Sequence, residues 1–365
     1  MKWSTVKYAY AVAILNGWAT SASPLMSRGR FSLATFKGPK NDLAARSIGS
    51  TPSSATTNFL NITLGDHQTF LMEIDTGSSA LWLFTTTNTP ANETNGHPLY
   101  NPDDSSTYAN ADGYHFDIEY ADGTGLSGPV GTEDVTIGGI TVQSQYIGVP
   151  DDVRTDPNVL QAGCLGMAPN PFTMTPGDQK TWHQNAEPML DEPLWTVDFR
   201  SDRPGSMDFG YIDSSKYTGE ISYVPCDFSS GAWSFNITQW NVPGDSLIGG
   251  LLNMIADTGT PATTLPVGVT DYYYSNIDGS SRDPSDDTAY IIPCDSSPPD
   301  LTLGFDGGSV TIPGSQINQG TVDGGCRGAL YITTSGGNLG SAMFDSNFVV
   351  YSQTNARIGF APKSN

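Results

Sequence analysis

Alternation of apolar and polar residues with period two dominates this chain. Tyr114-His115-Phe116-Asp117-Ile118-Glu119-Tyr120 puts its apolar side chains on one face and its polar ones on the other, as a half-buried strand requires. Val130 to Ile140 reads as strand, a Gly138-Gly139 turn, then strand again. Helical periodicity is scarce, and Val267 to Ile277 is its clearest stretch. With 40 glycines and 25 prolines among 365 residues, turns punctuate the text throughout. The pattern predicts a mostly β fold, in a chain long enough for two domains and a substantial core.

Two apolar runs end in the same phrase. Phe70-Leu71-Met72 leads to Asp75-Thr76-Gly77-Ser78-Ser79, and Met254-Ile255-Ala256 leads to Asp257-Thr258-Gly259-Thr260-Pro261. After similar intervals the chain reaches Cys164-Leu165-Gly166 and Asn338-Leu339-Gly340. Units of that length fit a duplicated domain rather than a solenoid repeat. A single Asp-Thr-Gly is an ordinary polar turn at a strand end. Two of them in matching halves can bring two carboxylates together at an interface, where clefts commonly lie. Like charges about 3 Å apart cannot both ionise, so the pair shares a proton and keeps an acid beside a base. Such an apparatus activates water and points to a hydrolase.

On these residues the chain resembles a pepsin-type aspartic endopeptidase, closest in character to the secreted fungal enzymes, from about Asn58 to Pro362. The resemblance implies an all-β, bilobal fold of two mostly antiparallel, barrel-like lobes with a cleft between them. The first lobe is expected over residues 47–216 and the second over 217–365. Asp75 and Asp257 take the catalytic positions, water is the nucleophile, and no metal or cofactor is implied. One carboxylate takes a proton from water while the other donates a hydrogen bond to the scissile carbonyl. Ser78 and Thr260 match hydroxyls that bind the outer oxygens of the two aspartates. Thr76 and Thr258 match the pair that reaches across to the opposite lobe, and Gly77 and Gly259 let the backbone pass close behind the carboxylates.

Tyr120-Ala121-Asp122-Gly123-Thr124 resembles the tip of the hairpin that closes over bound peptide, and its Asp-Gly and Thr-Gly text independently favours a turn. Tyr120 takes the flap-tyrosine position, and Trp82 matches the tryptophan that supports it; the competing reading of Trp82 is a core residue. Asp122 resembles a flap aspartate that lets some fungal relatives accept Lys before the cleaved bond. Three positions depart from the family pattern. Ala121 replaces the usual flap glycine, Pro261 replaces a hydroxyl residue, and Ser341 replaces a common acidic residue. Substrates are expected to be proteins and peptides, and the chain is expected to be a monomer.

Charge narrows the partners. The formal net charge is −22. Lys2, Lys7, Arg28, Arg30, Lys37, Lys40 and Arg46 all fall in the first 46 residues, leaving nine basic against 37 acidic residues beyond them. Such a surface repels nucleic acid and anionic membranes and suits work in acid. Lys2 and Lys7 precede the apolar stretch Tyr8 to Leu15, with small residues at Thr20-Ser21-Ala22, so residues 1–22 read as a secretory signal too short to span a bilayer. The ending Ala361-Pro362-Lys363-Ser364-Asn365 carries no lipid-anchor pattern. A secreted, extracellular protein is expected. Residues 23–46 read as a short basic propeptide or a linker; the resemblance gives Lys37 or Lys40 the part of covering the acidic cleft.

Four cysteines allow three complete pairings, and spacing does not choose among them. The resemblance pairs Cys294 with Cys326; Cys164 and Cys226 stand where relatives carry aliphatic residues and read as two buried thiols, a second disulfide between them being the alternative. Asn61, Asn92 and Asn236 open N-glycosylation sequons, Asn92 in the most loop-like setting. Gly244-Asp245-Ser246-Leu247 spells a serine-esterase motif, but all four histidines precede Ser246, whereas that mechanism places its base after the serine. The same scattered histidines do not form a zinc pattern. Two rival readings have a place beside the peptidase: an inactive pepsin-fold binding protein, and a secreted β-rich carbohydrate-binding module, which leaves the paired motif unexplained.

Overall fold

The computed structural model describes residues 29–39, 56–88, 98–120, 123–154, 162–200, 203–243, 248–334 and 336–364. Period-two text becomes strand. Ala109–Glu119 pairs antiparallel with Gly125–Ile137, and Ile140–Gly148 folds back across Gly138 and Gly139. Those two glycines take φ values of 60° and 93°, the left-handed backbone that a two-residue hairpin turn needs. Helix among the described residues is short: α1 (Trp182–Ala186), α2 (Val267–Ser275) and α3 (Ser341–Phe344), besides single 3-10 turns. None is long and apolar enough to cross a membrane.

Three sheets organise the described residues. The largest has fourteen strands and takes chain from both halves. Trp195–Asp198 lies between Gly205–Phe209 and Asn347–Ser352, and the latter pairs with Arg357–Pro362. A seven-stranded sheet belongs to the second half, as does a four-stranded one closed by the Cys294–Cys326 disulfide. The architecture is the all-β, bilobal, pepsin-like one that the resemblance implies.

The duplication survives in strand register. Gln68–Asp75 runs parallel to Gly163–Gly166 with Asp75 opposite Gly166, while Ile248–Ala256 runs parallel to Gly337–Leu339 with Ala256 opposite Leu339. Leu81–Leu83 and Thr263–Pro266 close the two loops antiparallel to those short strands. Aspartate-bearing turns therefore project from two equivalent frameworks. Beneath them stands an aromatic wall: Trp195 stacks on Tyr351 at 4.0 Å, and Trp233 meets both edge-on. Fully burying side chains of this size contributes roughly 2–3 kcal/mol each, and the wall ties the two halves into one core.

Phe31–Pro39, within the stretch read as propeptide or linker, is a strand of the large sheet. It pairs with Gly205–Phe209 over Phe31–Thr35 and with Thr56–Leu64 over Phe36–Pro39. Lys37 Nζ lies 2.5 Å from Asp345 Oδ2. Close by in the chain's packing, Lys363 Nζ donates to Phe344 O at 2.5 Å and sits 3.7 Å from Asp198, which Arg200 holds at 2.8 Å. Burial pushes the Lys363 amine down to about 7, with Asp198 opposing that shift. Lys40 and residues 1–22 lie outside the described residues.

Candidate active site

Each aspartate stands where a buried strand meets its turn, and the local bonds repeat. Gly77 N donates to Asp75 Oδ1 at 2.8 Å, and Gly259 N donates to Asp257 Oδ1 at 2.9 Å. Ser78 Oγ donates to Asp75 Oδ2, and Thr260 Oγ1 donates to Asp257 Oδ2 at 2.5 Å. Both loops are also pinned from behind: Met167 N donates to Asp75 O at 2.7 Å and Asp257 N donates to Leu339 O at 3.0 Å. Trp233 Nε1 in turn donates to Met167 O at 2.9 Å, so the aromatic wall supports the first loop.

Thr76 and Thr258 lock the halves together. Thr76 N donates to Thr258 Oγ1 at 3.0 Å, and Thr258 N donates to Thr76 Oγ1 at 2.9 Å. Each hydroxyl then donates across to the other half, Thr76 to Ala256 O and Thr258 to Ile74 O, both at 2.8 Å. All four bonds are buried, where an unpaired donor or acceptor costs about 1–3 kcal/mol, so the register of one loop on the other is strongly specified.

This grip brings the carboxylates face to face. A methyl carbon added at Gly259 would lie 2.5 Å from Asp75 Oδ1 and 3.3 Å from Asp257 Oδ1, so both oxygens border one small space. The matching carbon at Gly77 would lie 2.6 Å from Asp257 Oδ2 and 2.7 Å from its Oδ1. The two glycines are thus needed because each faces the opposite half's carboxylate, a more specific reason than passage behind its own. Asp75 and Asp257 keep 7% and 9% of their surface exposed.

The hairpin lies over the first half of the site. Tyr120 N donates to Thr124 O at 2.8 Å and Gly123 N to Tyr120 O at 2.9 Å, with Gly123 at φ 83°, so the tip turns tightly. Trp82 Nε1 donates to Tyr120 Oη at 2.7 Å while its ring packs beside Phe84 and Cys164. Trp82 is therefore a core residue that also donates to the hairpin tyrosine. Burial raises the Tyr120 phenol well above the ordinary 10, and Cys164 and Asp75 push it the same way, so it stays a neutral hydrogen-bonding group. Arg154 braces the hairpin's base through Asp117 and through its own N–H to Gly125 O at 2.8 Å. Ala121 and Asp122 lie outside the described residues.

Two contacts at the carboxylates were not read as functional in the sequence. Asn338 Nδ2 lies 2.9 Å from Asp257 Oδ2 and 3.0 Å from Thr260 Oγ1, and Cys164 Sγ lies 4.0 Å from Asp75 Oδ2. The signal for these contacts is the equal offset of the two residues before Leu-Gly in each half. Of the two expected buried thiols, Cys164 is buried, whereas Cys226 is only half-buried because it lies past the end of its strand. Burial of the sulfur nonetheless pushes the Cys226 thiol up to about 12. Asn61 and Asn236 are exposed on strands, and Asn92 and Gly244–Leu247 lie outside the described residues. Pro261 is buried in the second loop, and Ser341 N donates to Thr260 O at 3.1 Å.

The eukaryotic aspartyl protease family model matches residues 58–363. The chain is 34% identical to the aspartic protease pepA of Arthroderma gypseum over 352 residues, covering 90% of this chain and 86% of that protein. It is 35% identical to penicillopepsin-1 of Penicillium janthinellum over 310 residues, covering 83% and 94% respectively. Aspergillopepsin-1 of Aspergillus oryzae is 34% identical over 331 residues, covering 88% and 83%.

Proposed function

This chain belongs to the eukaryotic aspartyl protease family and is an aspartic endopeptidase, and from that premise we propose that Asp75 and Asp257 are its catalytic pair. One observation carries the assignment: each carboxylate faces a glycine of the other half while holding the same set of loop donors. A water bound between the inner oxygens gives up a proton to the ionised carboxylate as it attacks the peptide carbonyl. The protonated partner donates its hydrogen to the carbonyl oxygen, where negative charge develops. Sharing of one proton is general behaviour of aspartic-protease pairs rather than a result of this geometry. The pair titrates as a unit, with an acid optimum.

Ser78 and Thr260 orient the outer oxygens, and Thr76 and Thr258 fix the distance between the loops. Tyr120, Gly123 and Thr124 close over the bound peptide, with Trp82 holding the Tyr120 hydroxyl. Closure excludes competing water and aligns an extended substrate, whose backbone gives affinity and whose side chains give selectivity. Asp122 extends acceptance from bulky apolar residues to Lys before the cleaved bond. The protein acts outside the cell, after loss of its N-terminal signal, as a monomer.

The test is digestion of haemoglobin and of a peptide library in acid, with and without pepstatin. The parent is expected to cleave and pepstatin to stop it, Asp257→Asn is expected to be inactive while still folded, and Asp122→Ser is expected to lose cleavage after Lys selectively. A parent inert on every polypeptide, or an Asp257→Asn variant as active as the parent, overturns the assignment; an unaltered cleavage profile in Asp122→Ser overturns only the role of that residue.

A further inference from the structure

Asn338 and Cys164 occupy equivalent places but offer different chemistry. Each lies on the short strand that runs parallel to an aspartate-delivering strand, Cys164 opposite Glu73 and Asn338 opposite Ile255, two residues before each aspartate. Asn338 presents an amide N–H to Asp257 Oδ2 at 2.9 Å, a charge-assisted bond when that carboxylate is ionised. Cys164 presents a thiol at 4.0 Å to Asp75 Oδ2, a weak donor at long range. Of the contacts from these two equivalent positions, the one to Asp257 is therefore the stronger.

The orientation of the Asn338 amide follows from its neighbours. Turned over, its oxygen would face the Asp257 carboxylate, so the nitrogen belongs there. In that orientation Asn338 Oδ1 is buried without a hydrogen-bond partner, which disfavours the folded state. The amide thus does not improve the packing of this strand. What it supplies is a donor to one member of the pair. The other titratable groups around the pair do not mask this asymmetry in acid. Tyr351 beneath Asp257 and Tyr120 beside Asp75 are raised well above the ordinary tyrosine value, burial being the first cause for both, and remain neutral. Among the described residues, Glu73 and Cys164 lie on the Asp75 side, while Cys226 lies near Tyr351 on the other.

Building on the assignment of Asp75 and Asp257 as the catalytic pair, we propose that Asn338 is a positioning residue that draws the pair's negative charge towards Asp257 and leaves the shared proton on Asp75. A hydrogen bond to the charged form of a carboxylate favours that form. Asn338 therefore lets the pair give up its first proton at lower pH than a matched apolar residue would, which extends activity further into acid. In this arrangement Asp257 receives the proton from water, and Asp75 presents the hydrogen to the scissile carbonyl.

The experiment compares the parent with Asn338→Leu, which keeps volume and removes the donor, and Asn338→Val, which suits a strand. Rates on a chromogenic peptide are followed from strong acid to neutrality, with pepstatin titration counting folded sites. In both variants the acid limb of the kcat/KM profile is expected to move up by about one pH unit, a tenfold loss at its foot. The neutral limb is expected to move less, and the melting midpoint to hold or rise as the orphaned oxygen disappears. Folded variants whose acid limb overlays that of the parent overturn this inference alone. A parent without acid peptidase activity, or an active Asp257→Asn variant, overturns instead the assignment on which it rests. Should one substitution prevent folding, the pepstatin count reveals it and the other is read.

Discussion

His183 is a residue whose chemistry sits awkwardly in an acid-working protein. It lies buried in α1, and its Nε2 is 2.9 Å from Ala168 O, so that nitrogen must carry a proton. Burial drives its pKa down from 6.5 to about 4, with the Ala168 bond opposing. Between those values the unfolded chain binds a proton that the folded one refuses, so stability falls as pH falls through that window and the loss is complete near pH 4. On the linkage relation the cost is on the order of 3 kcal/mol. Replacing it by Gln, whose Nε2 can still donate to Ala168 O, removes the titration. The expected outcome is a smaller drop in melting midpoint between neutral and acid solution than the parent shows; equal drops would mean that His183 binds its proton alike in the folded and unfolded chain. Nothing in the sequence distinguished this histidine from the other three, because burial is a property of the fold. Asp75 and Asp257 were legible for the opposite reason: a repeated local phrase names them. Asn338 and Cys164 fall between, since their offset was visible but their contact with carboxylates depends on parallel strand pairing.

Elements divide in the same way. The Ala109–Glu119 hairpin and α2 carried enough periodic text to be read directly, and the Gly138-Gly139 turn was fixed by residue type. Gly163–Gly166 and Gly337–Leu339 are too short for any period to register; their strand character comes from partners remote in the chain. Phe31–Pro39 falls in the basic stretch that reads as propeptide or linker, and its strand character comes from pairing with Gly205–Phe209 and Thr56–Leu64. The disulfide also acts at this scale. It joins Cys294, just beyond the Asp286–Ile292 strand, to Cys326 on the partner strand, across 32 residues. On the chain-entropy account that closure stabilises by about 3–4 kcal/mol. A Cys294→Ala, Cys326→Ala double variant is therefore expected to unfold at distinctly lower urea, with the slope of the transition revealing any looser unfolded state. A midpoint unchanged from the parent would mean that the four-stranded sheet around Arg327, Asp283 and Asp286 holds the loop unaided.

For the whole molecule, composition acts through electrostatics rather than through fold. A net charge of −22 at pH 7 means that acidic side chains repel one another over the surface, and compaction brings them closer. Acidification protonates them and removes that strain, while His183 works in the reverse direction over the same range. The two effects separate by their response to salt. Repulsion among exposed carboxylates is screened once the Debye length falls well below their spacing, whereas the burial cost of one imidazolium is not. Raising sodium chloride from roughly 0.02 to 0.5 M is therefore expected to lift the melting midpoint clearly at neutral pH and hardly at all near pH 4. The measurement is a pair of calorimetric salt series on the parent, repeated on His183→Gln. In that variant the salt response should be unchanged at both pH values, since only the unscreened part has been removed. A neutral-pH midpoint indifferent to salt would show that the part-buried ion pair Lys216–Asp208 and the buried pair Arg327–Asp283, not surface repulsion, govern stability there.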